Sequence, residues 1–247
     1  MARYTAHALV IGVHPWGDAD KVVELFTAEK GRVRAAAFGS RRPKSTLAAA
    51  LQLFNELDVS LTEGQRLDTV RTSSIQHHPK KLSEDIVTMA YGSFVAECVS
   101  EFLPEKQPEP RVYDLLRAVF SAFETRNPRI VALLGVYQLM EFTGLQLSYE
   151  RCVRCGRLLS EAEDALFSES AGGALCSDCH AQEGTSSQPY PAALRRFIAA
   201  ALAFDWQSGE KLTIATKDLL AAEAILIGYL QRLLGHPLRS LSFLQKL

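Results

Sequence analysis

No stretch of this 247-residue chain approaches the ~18–20 consecutive apolar residues of a membrane-spanning helix. The opening segment, Met1-Ala-Arg-Tyr-Thr-Ala-His7, has no hydrophobic core of the signal-peptide kind. The phosphate-cradling pattern G-x-x-x-x-G-K-[ST] is missing, which excludes P-loop nucleotide hydrolysis. No carboxylate cluster marks a Mg²⁺-dependent nuclease. His77 and His78 are adjacent, and neighbours on a strand face opposite ways, so a structural or hinge role is expected rather than a shared metal. No catalytic constellation emerges, and the expectation is a protein that is not an enzyme. Cysteine is scarce as well, with five residues, and without a secretory signal the thiols are expected to stay reduced in the cytoplasm.

Four of those five cysteines are not scattered. Cys152, Cys155, Cys176 and Cys179 read C-x₂-C-x₂₀-C-x₂-C. Each C-x₂-C pair can turn tightly enough to offer two thiolates to one ion, and two pairs close a tetrahedral site with S–metal distances of roughly 2.3 Å. The intervening Asp164–Leu175 alternates weakly and is expected to turn at Gly172-Gly173 as a β-hairpin. This is the layout of a zinc ribbon. Four sulfurs leave no open position, so structural Zn²⁺ is expected, with rubredoxin-like iron as the alternative metal. Two disulfides or four unrelated thiols are the competing readings. His180 could replace a thiolate, but four sulfurs already suffice. Cys98 is expected as a buried thiol.

The charge is uneven although the formal net charge is only −1. Residues 1–81 hold 12 Lys and Arg against 8 Asp and Glu, leaving 15 against 20 for the rest. A basic front suggests a polyanion partner. Within it, Lys30, Arg32, Arg34, Arg41, Arg42 and Lys44 fall in one segment that contains no acid. Arg32 and Arg34 lie two apart, on one face of a strand. Arg41, Arg42 and Lys44 follow in a loop beside Ser40 and Ser45. Guanidinium groups bind phosphate bidentately, which suits tracking a nucleic-acid backbone. Trp16, Phe26 and Phe38 are candidate stacking aromatics. The competing reading is a solvated strand edge, where cations deter aggregation.

Around this segment the pattern predicts strands at 4–13, 21–27 and 31–38, with His14-Pro15-Trp16-Gly17 as a loop. A short helix over 45–50 and strands at 52–61 and 66–75 follow. Three strands, a helix and two strands give the order of a five-stranded OB barrel, whose second and third strands and adjoining loops bind single strands. After Pro79 the period changes to about 3.6. Ser83 is the expected N-cap of a helix carrying Ile86, Met89, Ala90, Phe94, Cys98 and Phe102, which ends before Pro104. Helices are also expected over 111–125, from Asn127-Pro128 to Gly144, from Pro191, and over 217–234. Gly184–Gln188 is expected as a polar linker. The fold expected is multidomain β plus α: an OB-fold DNA-binding domain (1–80), a helical domain (81–149 and 185–247) and an inserted Cys₄ zinc ribbon (150–184).

The chain resembles the RecO family of bacterial recombination mediators. The residues that carry the likeness are Ala8-Leu-Val-Ile11, Asp20-Lys-Val-Val-Glu-Leu-Phe-Thr27, Glu29-Lys-Gly-Arg-Val33, Phe38-Gly-Ser-Arg-Arg-Pro-Lys-Ser45 with Leu47, Leu51-Gln-Leu-Phe54, Tyr229 through Gly235-His-Pro-Leu-Arg-Ser240, and Phe243-Leu244. Gly17-Asp18 stands where Gly-Glu or Ser-Glu is common. The resemblance implies a DNA repair protein of the RecF pathway that binds single- and double-stranded DNA. It also implies annealing of strands coated with the single-stranded-DNA-binding protein SSB and, with RecR, help in loading RecA. Mapped here, the DNA face would include Arg32, Arg34, Arg41, Arg42 and Lys44. The acidic, apolar SSB tail would meet a cation beside an apolar groove, with Arg117, Arg195, Arg196 and Arg239 as candidates. A nucleoid-associated cytoplasmic location follows. The alternative is a protein-only adaptor for SSB and RecR, and a metal-dependent nuclease is a distant third.

Overall fold

In the computed structural model, which describes residues 2–183 and 187–244, the chain forms two compact units. One runs to Gly135 and takes in the C-terminal stretch from Arg239; the other is Val136–Leu238. Residues 184–186 of the expected polar linker lie outside the described residues.

The first unit opens with β1 (Arg3–Trp16), β2 (Asp20–Thr27) and β3 (Gly31–Ala37), then α1 (Thr46–Ala50), β4 (Glu56–Thr62) and β5 (Asp68–His77). These strands close a barrel in the order β1-β2-β3-β5-β4. All ladders are antiparallel except β3–β5, where Ala35 and Ala36 pair parallel with Asp68 and Thr69. That is the OB order. Alternate residues point inward: Ala8 and Val10, Val23 and Leu25, Val33, Ala35 and Ala37, Leu57, Val59 and Leu61. Ala50 and Leu51 at the end of α1 join the same core. Each fully buried Val or Leu contributes about 1.5–3 kcal/mol relative to exposure.

Two strand boundaries differ from expectation by three residues or more. His14-Pro15-Trp16 continues β1, in register with Val22, Lys21 and Asp20. Beyond Leu9 the strand no longer pairs with β4, so Pro15 sits on an edge, where a sheet tolerates a missing N–H. Conversely, β4 starts at Glu56, not Gln52, because Phe54 takes a left-handed backbone (φ 72°). That conformation costs a bulky residue about 1–2 kcal/mol. It sends the ring, 2 % exposed, onto Phe120 at 5.3 Å.

A short helix, α2 (Lys80–Glu84), precedes α3 (Ile86–Phe102), followed by α4 (Pro110–Ala122) and α5 (Pro128–Thr143). The cap of α3 is Asp85 rather than Ser83: its carboxylate accepts from the Thr88 amide at 2.8 Å. Ser83 instead donates to the carbonyls of Pro79 and Lys80 inside α2. Asn127 caps α5 by accepting from the amides of Arg129 and Ile130, and Gly144 (φ 72°) follows its end. Between α3 and α4 the chain runs back along β3. Glu105 bridges Arg32 in parallel, and the Lys106 amide donates to the Arg32 carbonyl at 2.8 Å. A Cβ on Gly31 would lie 1.8 Å from the Gln107 carbonyl oxygen, so only glycine fits under this segment.

The second unit holds β6 (Ala165–Ser168), β7 (Gly173–Leu175), α6 (Ser177–Glu183), β8 (Gln188–Tyr190), α7 (Ala192–Leu202) and α8 (Thr216–Leu234). The expected hairpin forms, but Gly173 already belongs to β7 and the turn is Glu169–Gly172. The unexpected β8 adds a third strand, in the order β7-β6-β8. The last helix, α9 (Arg239–Leu244), belongs to the first unit, where Glu97 of α3 accepts from the amides of Arg239 and Ser240. No helix among the described residues is long and apolar enough to cross a membrane.

Candidate metal centre and nucleic-acid interface

The metal candidate is built from two knuckles of the second unit. In the first, the Cys152 amide donates to Arg157 and the Gly156 amide returns to Cys152, both at 2.9 Å, with Gly156 left-handed at φ 73°. In the second, Cys176 directly follows β7 and Cys179 lies in the first turn of α6, the His180 amide reaching the Cys176 carbonyl at 3.0 Å. The Val153 amide donates to Ala174 at 2.9 Å and ties the knuckles together.

The four sulfurs lie within 4.8 Å of one another. None is in a disulfide, and Cys155 and Cys176 stand 3.9 Å apart. A tetrahedral site with 2.3 Å bonds has edges of about 3.8 Å, so this separation fits a metal ion. The competing disulfides are not formed, and His180 is outside the cluster. The electrostatics point the same way. Burial pushes the Cys152 thiol up, but amides from Cys155, Cys176 and Arg154 outweigh it and bring the pKa to about 6. Burial and the neighbouring sulfurs push Cys179 to about 12. A cation bound among the four sulfurs would displace their remaining protons. The amides that lower Cys152 are those that would screen a metal thiolate.

The basic segment divides into two groups in the first unit. Lys30 pairs with Glu63 at 3.0 Å and sits 4.3 Å over the Tyr4 ring. Arg32 and Arg34 share the outer face of β3 as expected, yet carboxylates meet both. Arg32 contacts Glu24 at 2.7 Å with its side chain only 18 % exposed, and Arg34 lies 3.9 Å from Glu105. Both line a cleft of about 670 Å³ that also holds Glu97 and Glu101.

Arg41, Arg42 and Lys44 are exposed in the loop after β3. This loop is tied to the β1–β2 turn: the Gly39 amide donates to Asp20 Oδ1 (2.7 Å), the Arg41 amide to Ala19 (2.8 Å), and Arg41 Nη1 to Gly17 (2.8 Å). Trp16 and Phe38 are exposed beside these cations, with ring centroids 5.9 Å apart. Phe26, the third stacking candidate, is buried at 0 % exposure: it alternates with Leu25, so it projects from the barrel's outer face and is covered there, not free to stack. Sequence reasoning missed the carboxylates that meet Arg32 and Arg34: the register of the β2–β3 hairpin, with Glu24 opposite Arg34, could have located the first, and no local signal points to Glu105.

The candidate cations for an acidic tail differ as much. Arg117 pairs with Glu56 at 2.7 Å. Arg195 is buried and donates to the carbonyls of Tyr149, Ser160 and Glu163, so it braces the ribbon's loop instead of facing solvent. Arg196 is exposed beside a hollow of about 410 Å³ lined by Tyr149, Leu158 and Leu159. Arg239 begins α9. His78 contacts Asn55 Oδ1 at 2.7 Å and Ser83 at 3.3 Å, a structural bridge as expected.

Comparison with known proteins agrees with this architecture. The family model described as Recombination protein O N terminal matches residues 1–78, and Recombination protein O C terminal matches residues 83–242. Among relatives named DNA repair protein RecO, one from Nocardioides sp. is 31 % identical over 98 % of this chain and 99 % of its own. One from Bifidobacterium animalis subsp. lactis is 32 % identical over 99 % and 100 %. Another, from Symbiobacterium thermophilum, is 36 % identical over 72 % of each. With both halves matched in order, an N-terminal five-stranded barrel, and four cysteines able to hold a metal ion in the helical part, the chain belongs to the RecO family of DNA repair proteins.

Proposed function

We propose that this protein is a non-catalytic recombination mediator of the RecF pathway. It binds single- and double-stranded DNA and anneals complementary strands coated with SSB. With RecR it helps to load RecA, in the cytoplasm at the nucleoid. In this division of labour residues 1–80 form the DNA-binding domain. Residues 81–149 and 185–247 form the helical domain, and 150–184 a ribbon held by structural Zn²⁺. The observation that carries it is the rigid loop edge of the barrel, where Arg41, Arg42 and Lys44 are exposed beside two exposed aromatics. Annealing needs no bond chemistry: neutralised phosphates stop repelling and base pairing supplies the free energy.

The proposed DNA face comprises Lys30, Arg32, Arg34, Arg41, Arg42 and Lys44, with most of the binding on the last three. Their phosphate contacts give a plot of log affinity against log salt a slope of about −2 on single strands. A slope near zero would sink the reading. Arg41→Glu/Arg42→Glu should remove annealing of SSB-coated oligonucleotides, while Arg32→Glu, already facing Glu24, costs less. For the SSB tail, the hollow beside Arg196 and Leu158 supplies a cation and apolar walls, with Glu150 and Glu161 also in its lining.

A second reading has its own support. Lys30, Arg32 and Arg34 all meet carboxylates, as on a structural edge, which suits a protein-only adaptor binding SSB and RecR. An adaptor would keep its partners after the Arg41→Glu/Arg42→Glu exchange and would show no DNA affinity before it.

A further inference from the structure

Trp16 and Phe38 are the only exposed Phe, Tyr or Trp side chains among the described residues, at 46 % and 56 %. Every other Phe, Tyr and Trp with a described side chain is at least partly covered. Exposing two large rings side by side forfeits burial, and nothing in the barrel's core requires it: Trp16 ends β1 past its last contact with β4, and Phe38 follows the last residue of β3. The rings are not closed on each other. Their planes are tilted by 43° at a centroid spacing of 5.9 Å, so the faces diverge.

The seat is rigid and cationic. Three hydrogen bonds fix the turn that carries Trp16 to the loop that carries Phe38. Arg42 folds over Gly39, its Cζ 3.9 Å from where a Cβ on that glycine would lie, which sets a guanidinium next to Phe38. A phosphate held there leaves its base within reach of the rings. Asp20, whose carboxylate accepts from the Gly39 amide, and the exposed Asp18 lie in the same turn, and Arg41, Arg42 and Lys44 outnumber them.

From this geometry we infer that Trp16 and Phe38 form a stacking seat for an unpaired nucleobase. An unpaired strand offers base faces, and every base has one, so the seat takes any sequence. A duplex has already used those faces on its own neighbours. The protein therefore holds a single strand by base and phosphate, and a duplex by phosphate alone. Its grip weakens as strands pair, which releases the annealed product. The inference rests on the DNA-binding reading above, and the test separates the two.

The test is binding of three equal-length probes: an unpaired oligothymidine, an abasic strand with the same phosphates, and a blunt duplex. Trp16→Ala/Phe38→Ala should weaken the oligothymidine about 5- to 150-fold and change the other two less than about twofold. Arg41→Glu/Arg42→Glu/Lys44→Glu should weaken all three. Equal losses on thymidine and abasic strands in the aromatic variant, or no loss at all, would overturn the seat while leaving phosphate binding intact. Failure of the wild type to bind any probe would overturn the DNA-binding reading itself and the seat with it. As a check that keeps both rings of the seat in place, a Trp206→Phe protein leaves Trp16 as the sole tryptophan. Its fluorescence should be quenched by oligothymidine and not by the abasic strand; the absence of that difference would also overturn the seat.

Discussion

The carboxylate of Asp68, at the start of β5, lies 2.5 Å from the Tyr4 hydroxyl, 3.0 Å from Lys106 Nζ and 3.1 Å from the Gly64 amide. It is 1 % exposed and so joins β1, β5 and the segment after α3 from inside. Burial raises its pKa, but the three donors outweigh burial and hold it below the usual carboxylate value of 3.8. A depressed folded-state pKa means its contribution is complete above the unfolded value and is lost as pH falls through the folded one. The first unit is therefore expected to lose stability below about pH 4. Asp68→Asn should cost about 1.5–3 kcal/mol at neutral pH, since the donors lose a charged acceptor. It should also flatten the acid side of the stability curve, as read by thermal melts between pH 3 and 7. An unchanged curve would show that other carboxylates govern the acid limb.

Among the elements, α9 is the one most dependent on a distant residue. Its six residues are too few to hold a helix alone. Glu97 accepts from the Arg239 amide (2.8 Å), the Ser240 amide (2.9 Å) and the Ser240 hydroxyl (2.6 Å). Glu97→Ala should cost about 0.5–2 kcal/mol, as loss of a cap does. Amide exchange over residues 239–244 should speed up while β1–β5 stay protected; equal exchange in variant and wild type would refute the anchor. This dependence also explains what the sequence could tell. The barrel order, the cysteine knuckles and the helix at Asn127-Pro128 were legible because each is written in neighbouring residues: period, turn and cap. The Asp85 cap was obscured because Ser83 offers an equal signal two residues earlier, and the choice falls to α2, which buries Leu82 and uses the Ser83 hydroxyl internally. Glu105 on β3, the strand β8, and the left-handed Phe54 depend on partners far along the chain. No period or spacing encodes those. The basic segment was legible as a set, but its division into carboxylate-paired Arg32 and Arg34 and exposed Arg41 and Arg42 was not.

At the scale of the molecule, the loop-edge cations and aromatics all belong to the first unit and the four cysteines to the second, so the two candidate sites share no residue. Metal held by the thiolates contributes its binding free energy to folding of the segment that carries them. That segment also has supports that need no metal: the β7-β6-β8 sheet, and Arg195 donating to Ser160 and Glu163 at 2.5 Å. Removing the metal with a chelator, or by Cys176→Ser, should therefore unfold the ribbon locally instead of denaturing the chain. The two tryptophans report the units separately, Trp16 in the first and Trp206, bonded to Gln138 at 2.7 Å, in the second. The expected result is a new low-temperature calorimetric transition that neither tryptophan signal follows, with oligonucleotide affinity changed less than about twofold. If affinity instead fell in step with metal content, the barrel's loop edge would not be the whole DNA site. If metal content and melting were both unchanged in Cys176→Ser, the four thiols would not be a metal site at all.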